Sequence, residues 1–167
     1  RGLGNAKVLV LLDGVPIHDP FYLTTQWFKV PLATIERVEI VRGGNSSLWG
    51  NMAVAGVINI VSRRVKGNAG EASFIAGSRG SNVVSATQDA KLSEAFGLQL
   101  AVDRNRSGGY QTTPAEFTWR FPGKDVPDAT NTNAMVTLYA RPTAKTDAYL
   151  RAGWHVQDQD INFENGN

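Results

Sequence analysis

Two neighbouring residues, His18 and Asp19, form the pair whose side chains could act as acid, base or metal ligands. A catalytic or metal centre needs further partners, and adjacent loop residues seldom bind the same metal ion. The only other histidine, His155, lies far away in the sequence, and the chain contains no cysteine. Disulfides and thiolate metal sites are therefore excluded, and the pair predicts neither catalysis nor metal binding.

Motifs for acyl, phosphate or calcium chemistry are incomplete. The stretch GNSSLWG has Leu48 where the Gly-x-Ser-x-Gly motif of hydrolases requires its second glycine. Gly123 and Lys124 are followed by Asp125, whereas a phosphate-binding loop requires Ser or Thr there. The stretch DQDINFENGN alternates oxygen-bearing side chains, but Phe163 stands where a calcium loop needs glycine. We expect no enzyme activity, no cofactor and no bound metal.

The composition is typical of a folded chain. Of its 167 residues, 42% are hydrophobic and 19% are charged, and the formal net charge is only +2. So small a net charge gives no general attraction to nucleic acid. The best apolar run, VLVLL at 8–12, is far shorter than the ~20 residues of a membrane-spanning helix. Because a strand-like run begins almost at once, we interpret the chain as a fragment of a mature protein.

Up to about residue 64, continuous apolar runs predict a small β-sheet whose strands are covered on both faces. The three predicted strands lie at residues 7–12, 37–41 and 57–61. The Asp-Gly pair in LLDGVP predicts a tight turn after the first strand. The stretches PLATIE and SSLWG predict two short helical turns between the strands.

After a basic, glycine-containing boundary at 63–70, apolar and polar residues alternate with a period of two. Strands are predicted at 96–104, 134–140 and 148–156, with weaker ones at 71–77 and 82–92. Apolar residues take the even positions of the three clearest strands.

The connections between these strands have two lengths. Residues 93–94 and 142–145 form tight connections, whereas residues 107–131 form a long polar loop. Tight turns at one end and a long loop at the other are typical of an outer-membrane β-barrel wall. A soluble antiparallel sandwich has strands that alternate in the same way. Taken alone, this part of the chain leaves both architectures open.

Several motifs in the first part together resemble the plug domain of TonB-dependent outer-membrane receptors. They are DGV at 13–15, IERVE at 35–39, RG at 42–43, LWG at 48–50 and GVINI at 56–60. Their order and spacing agree with the family pattern. Three positions differ, since Gly44 replaces the usual proline, Trp49 replaces a tyrosine and Ala55 replaces the first of two glycines.

The resemblance implies a mainly β fold with two parts. Residues 1–64 are expected to be the C-terminal part of a plug domain, a small sheet with short helical turns. Residues 65–167 are expected to be the first antiparallel strands of a transmembrane β-barrel in the Gram-negative outer membrane. The TonB box, which binds the TonB complex in this family, is absent from the fragment.

The implied function is active uptake of a scarce large nutrient such as a ferric siderophore, haem, cobalamin or a glycan. The expected partners are that ligand, the TonB complex that supplies energy, and outer-membrane lipid, with no nucleic acid. The alternative from another class is a soluble all-β module that binds a ligand.

In the family, the segment after the Asp-Gly-Val strand contributes to the ligand surface. The resemblance therefore predicts ligand contacts at His18, Tyr22, Gln26 and Trp27, whose rings and polar groups suit stacking and hydrogen bonding. The alternative is that the aromatic residues of this loop only pack against the wall.

A second group of predicted site residues is charged. Arg37 and Glu39 fall on one face of their strand, and Arg42 lies just beyond. We predict that they contact charged residues on the inner wall of the barrel. The alternative is an ordinary strand face exposed to water.

Overall fold

A computed structural model of the chain describes residues 8–19, 21, 24–44, 46–50, 52–109 and 128–159. The chain divides into two compact units, Arg1–Val65 and Lys66–Asn167. The regular secondary structure of both units is almost entirely β-strand. Within the described ranges, no helix is long and apolar enough to cross a membrane.

The first unit contains a four-stranded sheet. Its strands are β1 Val8–Leu12, β2 Val15–Pro16, β3 Ile35–Arg42 and β4 Gly56–Ser62, in the order β2-β1-β4-β3. β1 and β4 pair in parallel, and the other two pairs are antiparallel. The connections contain short 3-10 helices at Trp27–Lys29 and Leu32–Thr34 and a one-turn helix, α1, at Ser46–Trp49. Both predicted helical turns are therefore present.

The Asp-Gly pair forms the turn between β1 and β2. Asp13 and Gly14 have φ values of 50° and 82°, as a two-residue type I′ hairpin requires. The Asp13 carboxylate also accepts hydrogen bonds from the Ser62 backbone N–H at 2.8 Å and the Ser62 hydroxyl at 2.6 Å. The turn is thereby attached to the end of β4.

Apolar residues cover both faces of the two central strands. On one face Leu9, Leu11 and Val57 pack with Ala53, and on the other Val10, Leu12 and Ile60 pack with Val30. The prediction of strands covered on both faces is right for β1 and β4. It is wrong for β3, which is exposed along most of its length because it forms the sheet edge.

The glycine-rich corner between β3 and β4 requires glycine most clearly at Gly56. A Cβ atom on this residue would lie 2.7 Å from the backbone oxygen of Val41, closer than real Cβ contacts allow. At Gly44, the position of the family proline, a Cβ would meet nothing closer than the Val54 oxygen at 3.6 Å. The corner therefore depends on glycine at its β4 end.

The second unit is a five-stranded antiparallel sheet in which each strand pairs with the next. Its strands are β5 Ala69–Ala76, β6 Asn82–Lys91, β7 Phe96–Ser107, β8 Ala129–Thr143 and β9 Thr146–Gln159. The last three extend beyond the predicted segments, because backbone pairing continues where polar residues replace the apolar alternation. The tight turns at 92–95 and 144–145 lie at one end.

The register sorts this sheet into two chemically different faces. Odd-numbered residues lie opposite odd-numbered ones and even opposite even, apart from the Thr143–Thr146 pair at the last turn. The even face exposes large apolar side chains, namely Phe74, Val84, Phe96, Leu100, Val102, Val136, Leu138, Leu150, Trp154 and Val156. The odd face encloses the polar side chains Thr87, Asp89, Gln99, Asn133 and Thr137 together with Ala101, Met135 and Tyr139, and it exposes Ile75 on the edge strand β5. The large exposed apolar side chains thus lie almost all on the even face, whereas a water-soluble sheet would bury such a face.

Candidate functional site

The segment after β2 folds back on itself as a closed loop. His18 and Thr25 form an isolated antiparallel bridge, and the Asp19 backbone N–H donates to the Thr24 oxygen at 2.9 Å. Backbone contacts thus join His18 and Asp19 to Thr24 and Thr25. We name residues 18–27 the plug loop.

The His18 ring anchors this loop to the sheet. Its Nε2 lies 3.1 Å from the Val8 backbone oxygen and 3.1 Å from the Thr25 hydroxyl. Because a carbonyl oxygen can only accept, Nε2 carries a hydrogen and donates it to Val8. The other ring nitrogen, Nδ1, is buried and has no partner among the described residues. His18 therefore has a positioning role in the plug loop.

Gln26 also holds the loop together, whereas two aromatic side chains project from it. The Gln26 amide donates to Asp19 Oδ2 at 3.0 Å, and the Phe21 backbone N–H donates to Asp19 Oδ1 at 2.9 Å. The Trp27 side chain is 52% exposed and Phe21 is 83% exposed. Phe21 is not among the residues that the sequence predicts to contact ligand; it belongs to the loop aromatics whose alternative role is packing, and its exposure is a finding of the structure. Tyr22 lies outside the described residues.

Arg37 and Glu39 pair on the exposed edge strand β3. Arg37 Nη2 lies 2.8 Å from Glu39 Oε1, and Arg37 Nε donates to the same oxygen at 2.9 Å. A hydrogen bond from Asn59 and one from Arg37 lower the pKa of Glu39 below its usual value. The predicted charged face is therefore present, with its charges paired within the plug sheet.

The partner that sequence reasoning missed is Asn59. Its Nδ2 donates to Glu39 Oε2 at 3.0 Å, and its Oδ1 accepts from the Gly14 backbone N–H at 3.1 Å. The register places Asn59 directly opposite Glu39, a pairing that the sequence alone does not reveal. The Arg42 side chain at the end of β3 is exposed and forms no hydrogen bond or ion pair with the described residues.

The enclosed odd face of the second unit carries two sets of hydrogen-bonded polar side chains. Gln99 donates to Asp89 Oδ1 at 3.0 Å, and the Tyr139 hydroxyl lies 3.4 Å from Gln99 Oε1. In the second group, Asn133 donates to Asp103 Oδ2 at 3.0 Å and His155 Nδ1 lies 2.7 Å from Asn133 Oδ1. The second group crosses three adjacent strands at one register level.

Neither unit presents a metal centre in the ranges that the structure describes, since no three His, Cys, Asp or Glu side chains converge there. The plug loop can form hydrogen bonds and aromatic stacking contacts, and the charged side chains of β3 can form ion pairs.

Comparison with known proteins shows which family the chain resembles. Residues 1–57 match the family model of the TonB-dependent receptor plug domain. The vitamin B12 transporter BtuB of Vibrio cholerae serotype O1 is 30% identical over 115 residues, which cover 68% of this chain and 19% of that protein. An iron-regulated outer membrane virulence protein of the same species is 39% identical over 72 residues, covering 38% and 11%. The chain thus spans about a fifth of the length of the first of these relatives.

Solved structures show the same fold. The ferric enterobactin receptor of Pseudomonas aeruginosa superimposes with a TM-score of 0.67 at 20% identity, over 95% of this chain and 26% of that one. The pyoverdine outer membrane receptor of the same species gives 0.69 at 15% identity, over 90% and 21%. The predicted fold class, a small plug sheet followed by antiparallel barrel strands, is therefore confirmed. With its plug match and these relatives, the chain belongs to the TonB-dependent outer-membrane receptors.

Proposed function

We propose that this chain is part of an outer-membrane transporter for active uptake of a scarce large nutrient. The candidate ligands are a ferric siderophore, haem, cobalamin or a glycan, and energy is supplied through a TonB complex. The plug match and the relatives that transport vitamin B12 or receive siderophores support this proposal. The location that follows is the Gram-negative outer membrane.

The observation that carries the proposal is the reversed polarity of the β5–β9 sheet. Leu150 is 72% exposed on the apolar even face, whereas Gln99 on the polar odd face is 1% exposed. Leaving a large apolar side chain in water forgoes about 1.5–3 kcal/mol. A lipid-facing even side and a lumen-facing odd side remove this cost for the whole face. A soluble all-β module would leave it in place, so that alternative is not favoured.

In this proposal, residues 1–64 act as plug and residues 65–167 form wall strands. A wide barrel lumen would leak solutes unless it were filled, and a compact sheet with two covered faces suits that task. Contact of Arg37, Glu39 and Arg42 with the wall stays a prediction. Because Arg37 and Glu39 already pair with each other, we expect Arg42 to be the residue most available for such a contact.

The plug loop is the proposed ligand surface on the plug. His18 and Gln26 use their polar groups to hold the loop, so we assign them a positioning role. Trp27 is exposed and available for stacking, and Phe21 joins it as a candidate. Ligand contact at His18, Tyr22, Gln26 and Trp27 remains to be tested.

Uptake by the full-length receptor tests the function. Cells lacking their own receptors would express it and be supplied with labelled cyanocobalamin, a ferric catecholate siderophore or haemin. We expect accumulation of one ligand that disappears in a strain without TonB. Accumulation that is the same without TonB would contradict active uptake. For the loop, we expect Trp27→Ala to weaken binding of that ligand by up to about tenfold, the contribution of one aromatic stacking contact. Leu32→Ala, which removes another exposed apolar side chain, should leave binding unchanged.

A further inference from the structure

On β7, the even face of the β5–β9 sheet changes from apolar to charged residues. Val102 is the last exposed apolar residue of the even face on this strand, and the next two even positions are Arg104 and Arg106. Both arginines are exposed. Because side chains two residues apart share a face, the two guanidinium groups continue the column that Leu100 and Val102 begin.

Two threonines complete a four-residue patch on this face. The register places Thr132 opposite Arg104 and Thr130 opposite Arg106 on β8. Opposite residues lie about 5 Å apart and successive same-face residues about 7 Å apart. Two guanidinium groups and two hydroxyl groups therefore fall within the span of one phosphorylated head group. We name these four residues the Arg/Thr patch.

The charges of the patch are only weakly engaged. The Arg104 side chain forms no hydrogen bond or ion pair with the described residues. Two exposed carboxylates border the patch: Asp128, whose Oδ2 lies 4.0 Å from Arg106 Nη2, and Asp158, which stands opposite Thr130 on β9. Such exposed ion pairs contribute little, so both guanidinium groups remain available to a stronger anion. Arginine binds phosphate with two parallel N–H donors.

The position of the patch in the sheet indicates which molecule supplies the phosphate. It lies at the end of β7 and β8 that carries the long 108–128 connection, opposite the tight turn at 144–145. In outer-membrane barrels the long loops are extracellular and the short turns periplasmic. If the even face contacts lipid, as the proposed function requires, the patch lies at the head-group level of the outer leaflet. That leaflet in Gram-negative cells carries phosphorylated glycolipid.

We propose that the Arg/Thr patch binds the phosphorylated head group of an outer-leaflet glycolipid. The inference rests on the proposed function for its orientation. Arg104 and Arg106 bind the phosphate oxygens, while Thr130 and Thr132 donate hydroxyl hydrogen bonds beside them. The patch thus holds lipid at one place on the outer surface of the wall.

The test uses the full-length receptor in phosphatidylcholine nanodiscs that contain bis-phosphorylated lipid A. Lipid A retained per receptor after extraction and washing is measured by native mass spectrometry. We expect R104Q/R106Q to retain about tenfold less lipid A than the wild type. Arg141→Gln is the matched control, because Arg141 lies on the odd face at the tight-turn end and pairs with Asp147 at 3.2 Å. It should retain as much lipid A as the wild type.

Two further arms identify the source of the phosphate. The wild type should retain little dephosphorylated lipid A. The amount should equal the small amount of intact lipid A that R104Q/R106Q retains. Sodium pyrophosphate at the lipid A concentration should not displace the lipid. Equal retention by R104Q/R106Q and the wild type would overturn the inference, and so would displacement by pyrophosphate.

A separate measurement distinguishes this inference from the proposed function. Insertion of the wild type and R104Q/R106Q is followed by their heat-modifiable electrophoretic mobility. Equal insertion with unchanged lipid retention would overturn the lipid site alone. A wild-type receptor that does not insert would contradict the membrane location itself.

Discussion

Asn59 donates a hydrogen bond to Glu39 across neighbouring strands at 3.0 Å, and its own amide oxygen accepts one from Gly14 at 3.1 Å. Arg37 binds the other side of the same carboxylate. A continuous series of polar contacts therefore runs from the exposed edge of the plug sheet to its tight turn. The apolar clusters hold the centre of the sheet, and this series holds its edge strand to its turn.

Asn59→Ala removes both contacts at once. A net hydrogen bond is worth about 1 kcal/mol, so hydrogen exchange of the Gly14 amide should accelerate about fivefold. The pKa of Glu39 should rise toward its ordinary value, because the hydrogen bond that lowers it most is gone. Exchange is measured by mass spectrometry on the peptide containing Gly14, in the full-length receptor.

Asn59→Asp separates the two contacts. It keeps an acceptor for Gly14 but loses the donor to Glu39 and places a second carboxylate beside it. We expect Gly14 to stay protected while the pKa of Glu39 rises. Fast Gly14 exchange in this variant, together with an unchanged Glu39, would contradict the bridging role.

The lowered pKa of Glu39 gives the plug a pH dependence of known sign. A carboxyl whose folded pKa is depressed stabilises the fold above its unfolded pKa and loses this contribution as pH falls through the folded value. The stability difference between the wild type and Glu39→Gln should therefore be fully present at pH 6 and shrink progressively as the pH falls below the ordinary carboxyl range near 4.5. The effect is modest because Glu39 is exposed. Urea unfolding at a series of pH values measures it, and a difference that grows on acidification would contradict it.

The sequence was sufficient for features that depend on local pattern. The Asp-Gly turn, the helical turn at Ser46–Trp49 and the alternating strands all follow from residue types at short spacing. Pairing across the chain could not be read in this way. Whether β3 is central or at the edge depends on its partners, and so does the meeting of Asn59 with Glu39.

The candidate site was less predictable than the fold for the same reason. The family resemblance, together with residue type, suggested that His18 and Gln26 offer hydrogen bonds to a ligand. In the folded structure, His18 instead contacts the Val8 backbone and Gln26 contacts Asp19. These contacts depend on how the chain folds and cannot be predicted from residue type. Exposure of Phe21 likewise depends on how the loop turns, since its aromatic ring suits packing and ligand contact equally.

Gly56→Ala tests the corner between β3 and β4. The added Cβ would lie 2.7 Å from the Val41 oxygen, which belongs to the paired strand and cannot move without breaking the ladder. We expect the free energy of unfolding of the plug to fall by about 1–3 kcal/mol. Urea unfolding of the full-length receptor is the measurement. Gly67→Ala is the control, because a Cβ there meets no atom within 4 Å, and it should stay within ~0.5 kcal/mol.

Gln99→Leu tests whether the enclosed polar face is held by its own hydrogen bonds. The substitution removes the donor to Asp89 Oδ1 and the acceptor near the Tyr139 hydroxyl, at a position that is 1% exposed. Loss of such buried contacts costs about 1–3 kcal/mol. Chemical denaturation of the full-length receptor should show this loss. Gln157→Leu, on the exposed end of the same face, should change stability little, and equal effects at both positions would contradict the distinction.

Leu150→Arg tests which face of the wall meets lipid. Leu150 is 72% exposed on the even face, and an arginine on the lipid side of a barrel costs about 2–4 kcal/mol near the midplane. We expect that loss in the unfolding free energy of the full-length receptor in lipid vesicles. Ser73→Arg places the same charge on the odd face and should cost much less, since Ser73 is exposed and loses only its contact with Ser85.

Leu150→Phe completes the test, because it shows whether lipid or protein contacts this side chain. A fluid lipid chain accommodates the larger ring, so stability should stay within ~0.5 kcal/mol, whereas a close-packed protein neighbour would be overpacked. Tolerance of phenylalanine with intolerance of arginine is therefore the expected pattern. Intolerance of both would show that protein covers the even face, and tolerance of both would show that water does. Either result would remove the basis for the membrane location.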